Sequence, residues 1–504
     1  MRVGKSRYLT KTRYVNGLVC QKWLWLDFNA PDKLPEPDAT AQFLLDQGRQ
    51  VGELARLRFP GGVLLPPGKP TENDRSSRKL LDDRVPLFEA GFIHASGPCY
   101  ARADVLVPVG GDEWSVIEVK SGVSVKEDYL HDLAFQRFCY NGSGLKIRKC
   151  SLLLIDANYE RSGEIDPAQL FREEDVTNAV KQLAITVQPN VEALLRVADS
   201  DVCPEFRRGE RFHKDEAGVH EDDSIWKEHP ASDILDLYGA GKKVFQLLEA
   251  GIFRIRDIPR SVVLTGKQSI QRDAYASSRI HVDRTELANF LGGLKYPLHF
   301  LDFETIYPAV PLFDGTSPYQ QIPFQFSVHV VEAPSHKPRH HSFLSLEPTD
   351  PREELLESLR KVIGPEGHLV AYNQSFEKSR LEDLAILFPE HAKWLREVKG
   401  RFVDLWTPFR DFDYYNPAQG GSASLKAVLP AVTGHGYGGL AIAGGSQASL
   451  AYLRAAFGTE DGKKASPKEV EEIRKALERY CGQDTEGMVW IVEKLADLAK
   501  DGNS

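Results

Sequence analysis

Apolar positions along the chain change period several times, and each change predicts an element. Helical spacing over Asp38–Arg58 and Asp128–Tyr140 predicts two helices in the first half. Between them, Tyr100–Val109 and Trp114–Lys120 alternate as strands joined by a Gly-Gly-Asp turn, and Lys149–Ile155 reads as a short buried strand. The second half opens on the strand LHFLDFETI (Leu298–Ile306), followed by strands at Pro323–Val331 and near His341–Leu346. A helix is predicted from Pro351, then a strand HLVAY, a helix from Ser375, and a long helical run over Pro467–Ala499. Gly- and Pro-rich punctuation predicts loops at Pro60–Arg78, Ala333–His341 and Tyr414–Ser424. Both halves therefore read as α/β or α+β, and no short-period repeat is visible.

A charged stretch poor in large apolar residues, Glu205–Asp223, reads as a linker. It suggests a first domain over residues 1–200, a middle segment over 201–295 and a last domain over 296–504. At 504 residues, with 42% hydrophobic and 27% charged positions, the composition excludes a wholly disordered chain. The net charge of −9 gives no broad basic coat, so any polyanion must meet local basic patches or metal ions held on carboxylates. The weak charge also makes a partner protein that loads substrate an open expectation. Six scattered cysteines without a CxxC pair fit a reducing, cytoplasmic setting. The basic start is not followed by an apolar stretch, so no leader peptide is expected. No apolar run approaches the roughly 20 residues of a membrane span, so no membrane partner is expected.

Two groups of residues carry chemistry. In the first, Glu118 and Lys120 stand two apart on a strand and share a face, and the hairpin brings Asp104 alongside. Two carboxylates can hold Mg²⁺ or Mn²⁺, and an adjacent lysine can orient or deprotonate an attacking water. Gln136 and Tyr140, at i and i+4, share one face of the helix that follows. Glu53, on the earlier helix, is a further candidate ligand.

The second group starts on LHFLDFETI, where Asp302 and Glu304 face one way and Leu301, Phe303 and Thr305 the other. Paired carboxylates on a central strand call for a cation or another special reason. Downstream come Glu377 in NQSFEKSRL, Asp404 in VDLW, and Tyr480 and Asp484 one turn apart in ERYCGQD. Acids from separate elements can converge on two divalent ions, with Tyr480 positioning the attacking water. About two YxxxD/E matches are expected by chance in this composition, so the ordered set matters and not that motif alone. In the middle segment, apolar residues recur at helical spacing on both sides of Gly239-Ala240-Gly241-Lys242-Lys243. Gly239, Gly241, Lys242 and Lys243 can present N–H groups and charge to a phosphate; a plain helical linker with a glycine turn explains them equally well.

The order Asp104, hairpin, Glu118-x-Lys120, then Gln136-x-x-x-Tyr140 resembles the RecB-like branch of the PD-(D/E)xK nucleases, and the segment around Glu53 is similar to their preceding helix. That resemblance implies Asp104 and Glu118 as metal ligands, Glu53 as a weaker one, and Lys120 as the catalytic lysine, with Gln136 and Tyr140 as the trailing motif. Many members also hold an iron–sulfur cluster on one early and three late cysteines. Here Cys20 falls at the early place, where it is expected to be buried beside Trp23 and Trp25. The linker offers only Cys203, His213 and His220, so no cluster is expected. The second group resembles the DEDD exonucleases of the ribonuclease H-like fold, in the variant ending in YxxxD. The chain departs from that pattern at Glu377, where the family carries aspartate, and Asp404 is the alternative ligand. The middle glycine turn resembles half of a helix–hairpin–helix element. As a whole, the chain resembles the domain of unknown function 2779 family, which joins the two nuclease types. The resemblance implies a Mg²⁺- or Mn²⁺-dependent nuclease with two centres, with DNA expected over RNA as the substrate, in repair, end processing or defence. A nucleic-acid-binding scaffold with one or both centres inactive, or an RNA-processing 3′-5′ exonuclease, are the alternatives.

Overall fold

The computed structural model describes residues 8–36, 39–205, 233–458 and 463–500. The chain divides into two compact units, Met1–Glu228 with Pro308–Gln320, and His229–Tyr307 with Gln321–Ser504. The middle segment from residue 229 thus clusters with the second unit. Most of the linker predicted at 205–223, with His213 and His220, lies outside the described residues.

Unit 1 is built on one six-stranded sheet: β1 (Val63–Leu64), β2 (Leu87–Ile93), β3 (Tyr100–Gly110), β4 (Glu113–Lys120), β5 (Lys146–Ile155) and β6 (Phe171–Asp175), lying side by side in that order. β2, β3 and β4 form an antiparallel meander, and β4 and β5 are parallel. A parallel neighbour needs a crossover, and helix α5 (Glu127–Gly142) supplies it. Helices α1 (Lys11–Val19), α2 (Gln21–Asn29) and α7 (Thr177–Asp199) lie with α5 over one face. Alternation along β4 explains the layering. Val116 joins the core under α5, while Ile117 joins the opposite core with Val51 and Ala55 of α3 (Ala39–Arg56). Within Pro60–Arg78, read above as a loop, α4 (Pro70–Lys79) forms. Pro70 occupies the first helical position, where its missing N–H costs nothing, and the Glu72 carboxylate accepts the Lys69 N–H at 3.3 Å. The breaker reading mistook a helix-starting proline for a helix-stopping one.

Unit 2 holds a five-stranded sheet in the order β10 (Arg339–Leu344), β9 (Ile322–Val331), β8 (Leu298–Ile306), β11 (His368–Ala371), β12 (Phe402–Asp404). β10, β9 and β8 are antiparallel, whereas β8, β11 and β12 run parallel. The predicted strand LHFLDFETI is β8 itself, and its two faces enter different cores. Leu301 and Phe303 pack with Leu355, Leu359, Leu381 and Leu384. Leu298 and Phe300 pack with Val428, Met488 and Val492, so the C-terminal helix Pro467–Lys500 covers the face that carries Asp302. Helix Leu425–Thr433 closes on it at Gly487, where a Cβ would stand 2.7 Å from Leu429 Cδ2. Tyr414–Ser424, read as a loop, contains a short strand, Tyr414–Tyr415, and a 3-10 turn at Pro417–Gln419. In the middle segment only the second predicted helix forms, over Lys243–Glu249. The first shrinks to a 3-10 turn at Ile234–Asp236, because Gly239 and Gly241 take φ of +57° and +51° and turn the chain before a helix can propagate. No helix of the described residues is long and apolar enough to cross a membrane.

Candidate functional site

The structure assembles two carboxylate clusters, one in each unit. In unit 1 the register Val105↔Ile117, continued by one residue, sets Asp104 across from Glu118 on the α5 side of the sheet. Asp104 Oδ2 accepts the Val119 N–H at 2.8 Å. Glu118 is buried; its Oε1 accepts Lys120 Nζ at 2.8 Å and its Oε2 accepts Gln136 Nε2 at 2.6 Å. The sequence reading missed two members. Asp132, one turn before Gln136, accepts Gln136 Nε2 at 2.8 Å and Lys120 Nζ at 2.8 Å. Lys11, at the start of α1, reaches Glu118 Oε1 at 2.7 Å and Asp104 Oδ1 at 3.5 Å. The i, i+4 relation to Gln136 was a usable signal for Asp132. Nothing local signals Lys11, which stands far from its partners in sequence.

Two expected members stay out of these hydrogen bonds, although Tyr140 lies near enough to feel the charges of Lys11 and Glu118. The Tyr140 hydroxyl donates to the Ala90 carbonyl and its ring packs edge-on against Phe92, so Tyr140 acts as a core residue. The Glu53 side chain is 70% exposed, and its ion pair, at 3.9 Å, is to Arg56. Cys20 is half-buried and not buried as expected: its thiol sits at the start of α2 and accepts the Trp23 N–H.

Burial alone would raise the Glu118 carboxyl, but the Lys11 and Lys120 ammoniums and their hydrogen bonds outweigh it and hold the group well below the usual range. Asp104 is pushed up to about 7 by burial and by Glu118, against the two lysines. Burial would lower Lys11, yet Asp104, Glu118 and Asp132 raise it well above an ordinary lysine. The cluster thus carries its own counter-charge.

The unit 2 cluster is built at the carboxyl ends of the parallel strands, the usual ligand position in open α/β sheets. β8 contributes Asp302 and Glu304. After β11 the chain turns through Asn373, whose φ is +66° and whose N–H donates to Asp404 Oδ1 at 2.9 Å. That turn starts helix Ser375–Leu387 and puts Glu377, 3% exposed, in its first turn. The C-terminal helix adds Asp484 and Tyr480. Ligand atoms of Asp302, Glu304 and Cys481 lie within 4.8 Å of one another, and the Cys481 thiol stands 3.5 Å from Asp302 Oδ2. Asp404 spends Oδ1 on the Asn373 and Trp406 N–H groups, so it organises the turn.

Among the described residues no lysine or arginine forms an ion pair with Asp302, Glu304, Glu377 or Asp484, and Glu377 Oε2 is buried without a hydrogen-bond partner. Burial raises all four, and repulsion within the group adds to it at Asp302 and Glu304. Asp302 is raised well above an ordinary carboxyl by burial, Asp484, Glu304 and Glu377. Burial together with Asp484 lifts Glu304 to about 8, and burial lifts Glu377 to about 8. Asp484 reaches about 6 through burial, moderated by the Tyr437 hydroxyl that donates to it and by Lys426. Three buried acids and the half-buried Asp302 with so little compensation, one oxygen orphaned, fit a hard divalent cation. In unit 1 the fit is poor, because every carboxylate oxygen of Asp104, Glu118 and Asp132 already meets a donor of the chain.

A cleft of about 530 Å³ opens onto the unit 2 cluster, lined by Asp302, Asp484, Lys426 and the rings of Tyr372, Tyr437 and Tyr480. Lys426 and Tyr437 were not expected. Lys426 Nζ lies 5.9 Å and 5.7 Å from the Tyr437 and Tyr480 ring centres and donates to the Ala443 carbonyl. In the middle segment, Lys243 Nζ is held by the Val263 carbonyl and Gln268, while Lys242 is exposed.

Residues 299–424 match the family model described as a domain of unknown function, DUF2779. The match takes in Asp302, Glu304, Glu377 and Asp404 and ends before Lys426, Tyr480 and Asp484. No curated protein matches the chain. A solved structure entitled "Crystal structure of SSO0001" is similar at 11% identity and a TM-score of 0.21, over 40% of this chain and 90% of that one. A score that low transfers neither fold nor function.

Proposed function

We propose that the chain is a divalent-metal-dependent nuclease whose working centre is the unit 2 cluster. The observation that carries this reading is the convergence of the half-buried Asp302 with the buried Glu304, Glu377 and Asp484, without an ion-pair partner among the described residues. The strand order, antiparallel then parallel about β8, supports a ribonuclease H-like unit, and the β2–β3–β4 meander with its α5 crossover supports a PD-(D/E)xK-like unit 1.

The four carboxylates would hold Mg²⁺ or Mn²⁺, which bound supplies a Lewis acid for the phosphoryl oxygen and an acidified water. The chain's own groups do the rest. Burial and the carboxylates beside it raise Tyr480 far above an ordinary phenol, so its hydroxyl stays protonated and donates, orienting a water instead of removing its proton. Lys426, tethered at Ala443 and spanning two tyrosine rings, meets phosphate charge at the cleft wall. Tyr437 donates to Asp484 and so orients its carboxylate.

DNA is the polymer proposed, with RNA as the alternative, since the phosphate these groups would meet is common to both backbones. A second reading applies to unit 1 alone. The satisfied oxygens of Asp104, Glu118 and Asp132 favour a nucleic-acid-binding unit whose own centre is silent. Digestion of linear and circular single-stranded DNA with Mg²⁺ or Mn²⁺ tests both, with an RNA control and the Asp104→Ala and Asp302→Ala variants alongside. The reading expects cutting that Asp302→Ala abolishes and Asp104→Ala leaves; intact substrates throughout would overturn it.

A further inference from the structure

We infer that the Lys11 ammonium is the resident cation of the unit 1 cluster: it fills the place between Asp104 and Glu118 that a divalent ion would take, and keeps that cluster metal-free. The ammonium is 2.7 Å from Glu118 Oε1 and 3.5 Å from Asp104 Oδ1, so one nitrogen bridges the two carboxylates. It is delivered by a fixed backbone, not a loose surface arm. Leu9 bridges to Cys99 beside the start of β3, with the Leu9 N–H on the Pro98 carbonyl at 2.7 Å and the Tyr100 N–H on the Leu9 carbonyl at 3.0 Å. Thr10 caps α1 through the Arg13 N–H. One turn on, Tyr14 stacks on Phe135 of α5 with ring centres 4.8 Å apart, and its hydroxyl accepts from Asn190.

Position makes the arrangement informative. Lys11 is the first residue of α1, where the partial positive charge of the helix start disfavours a lysine. The side chain is only 23% exposed, so it also gives up most of its hydration. Both costs are offset by the carboxylates it bridges, and the same contacts use the oxygens a metal would need. Lys120 takes a second place on Glu118 Oε1 and Gln136 one on Oε2, so both oxygens already meet donors. Three carboxylates against two ammoniums leave little charge to draw a second cation.

Cation occupancy is the readout, so the test stands apart from whether the chain cuts nucleic acid. In full-length protein whose unit 2 cluster is silenced by Asp302→Asn, Mn²⁺ binding is followed by calorimetry with and without Lys11→Met. The methionine keeps the stem and removes the charge. The expected result is no measurable site with Lys11 present, and a new site at least about tenfold tighter in Lys11→Met, absent again in Lys11→Arg. Equal Mn²⁺ affinity with and without the Lys11 charge would overturn the inference. A second measurement, on the wild-type chain, covers the case in which Lys11→Met does not fold. Lys11 acetylation by an amine reagent is mapped by mass spectrometry with and without saturating Mn²⁺. Unchanged protection supports a resident ammonium, and exposure of Lys11 by Mn²⁺ overturns it.

Discussion

In unit 1 the acids Asp104, Glu118 and Asp132 share the ammoniums of Lys11 and Lys120; in unit 2 the acids Asp302, Glu304, Glu377 and Asp484 share no ion pair among the described residues. Both clusters sit on a central strand with the acid two residues from its neighbour, and both are roofed by a helix. The difference lies in where the counter-charge comes from. A buried carboxylate is tolerated when the fold supplies a cation, and becomes a demand on the solvent when it does not. In the first arrangement the loss of one partner leaves a buried charge uncompensated, whereas in the second, burial of the acids disfavours their ionised form, the trade that the proposed reactive centre would make.

The comparison breaks most visibly in activity. Asp302→Asn is expected to reduce Mn²⁺-dependent cutting of linear single-stranded DNA by more than the roughly 100-fold typical of an outer-shell change, measured by initial rates. Glu118→Gln is next. It leaves Lys11 and Lys120 facing each other without their shared anion, and urea denaturation should show a loss of about 3–5 kcal/mol. Asp302→Asn in chelator should move the other way, gaining about 1 kcal/mol above pH 8, because it relieves repulsion among the remaining acids. The same sign in both clusters would sink the comparison.

The pH dependence sharpens it. The raised carboxyls of unit 2 favour folding in their protonated form. Their contribution is therefore fully present below the unfolded value near 4 and is lost as pH climbs through about 6 for Asp484 and about 8 for Glu304 and Glu377. In chelator, hydrogen exchange at the amides of β8 and of helix Pro467–Lys500 should quicken across that window. Mn²⁺ should flatten the trend, since it binds the ionised acids. The smallest effect belongs to Tyr437→Phe, which removes one hydrogen bond to Asp484. It should cost about 1 kcal/mol in chelator and slow turnover less than Asp302→Asn does.

Local pattern made much of this legible. The strand Leu298–Ile306 is readable because alternation with two carboxylates on one face has a period of two and needs no partner to be seen. The hairpin of β3 and β4 follows from two alternating runs around a glycine turn, which fixes the register that sets Asp104 against Glu118. Tyr480 and Asp484 share a helix face by spacing alone. Pro70 is ambiguous in sequence, since the same residue starts a helix or stops one according to what precedes it.

What the sequence determined by itself is therefore the set of elements and the face on which each acid stands, because helix and strand periods are properties of neighbouring residues. Tertiary structure decided which acids are neutralised. Lys11 meets Glu118 across 107 positions and Tyr437 meets Asp484 across 47, and no period connects such pairs. It also set Tyr140 in the core and left Glu53 at the surface, although spacing places both on plausible faces. Charge compensation acts through space and depends on burial, which the packing of distant elements fixes and local order does not encode.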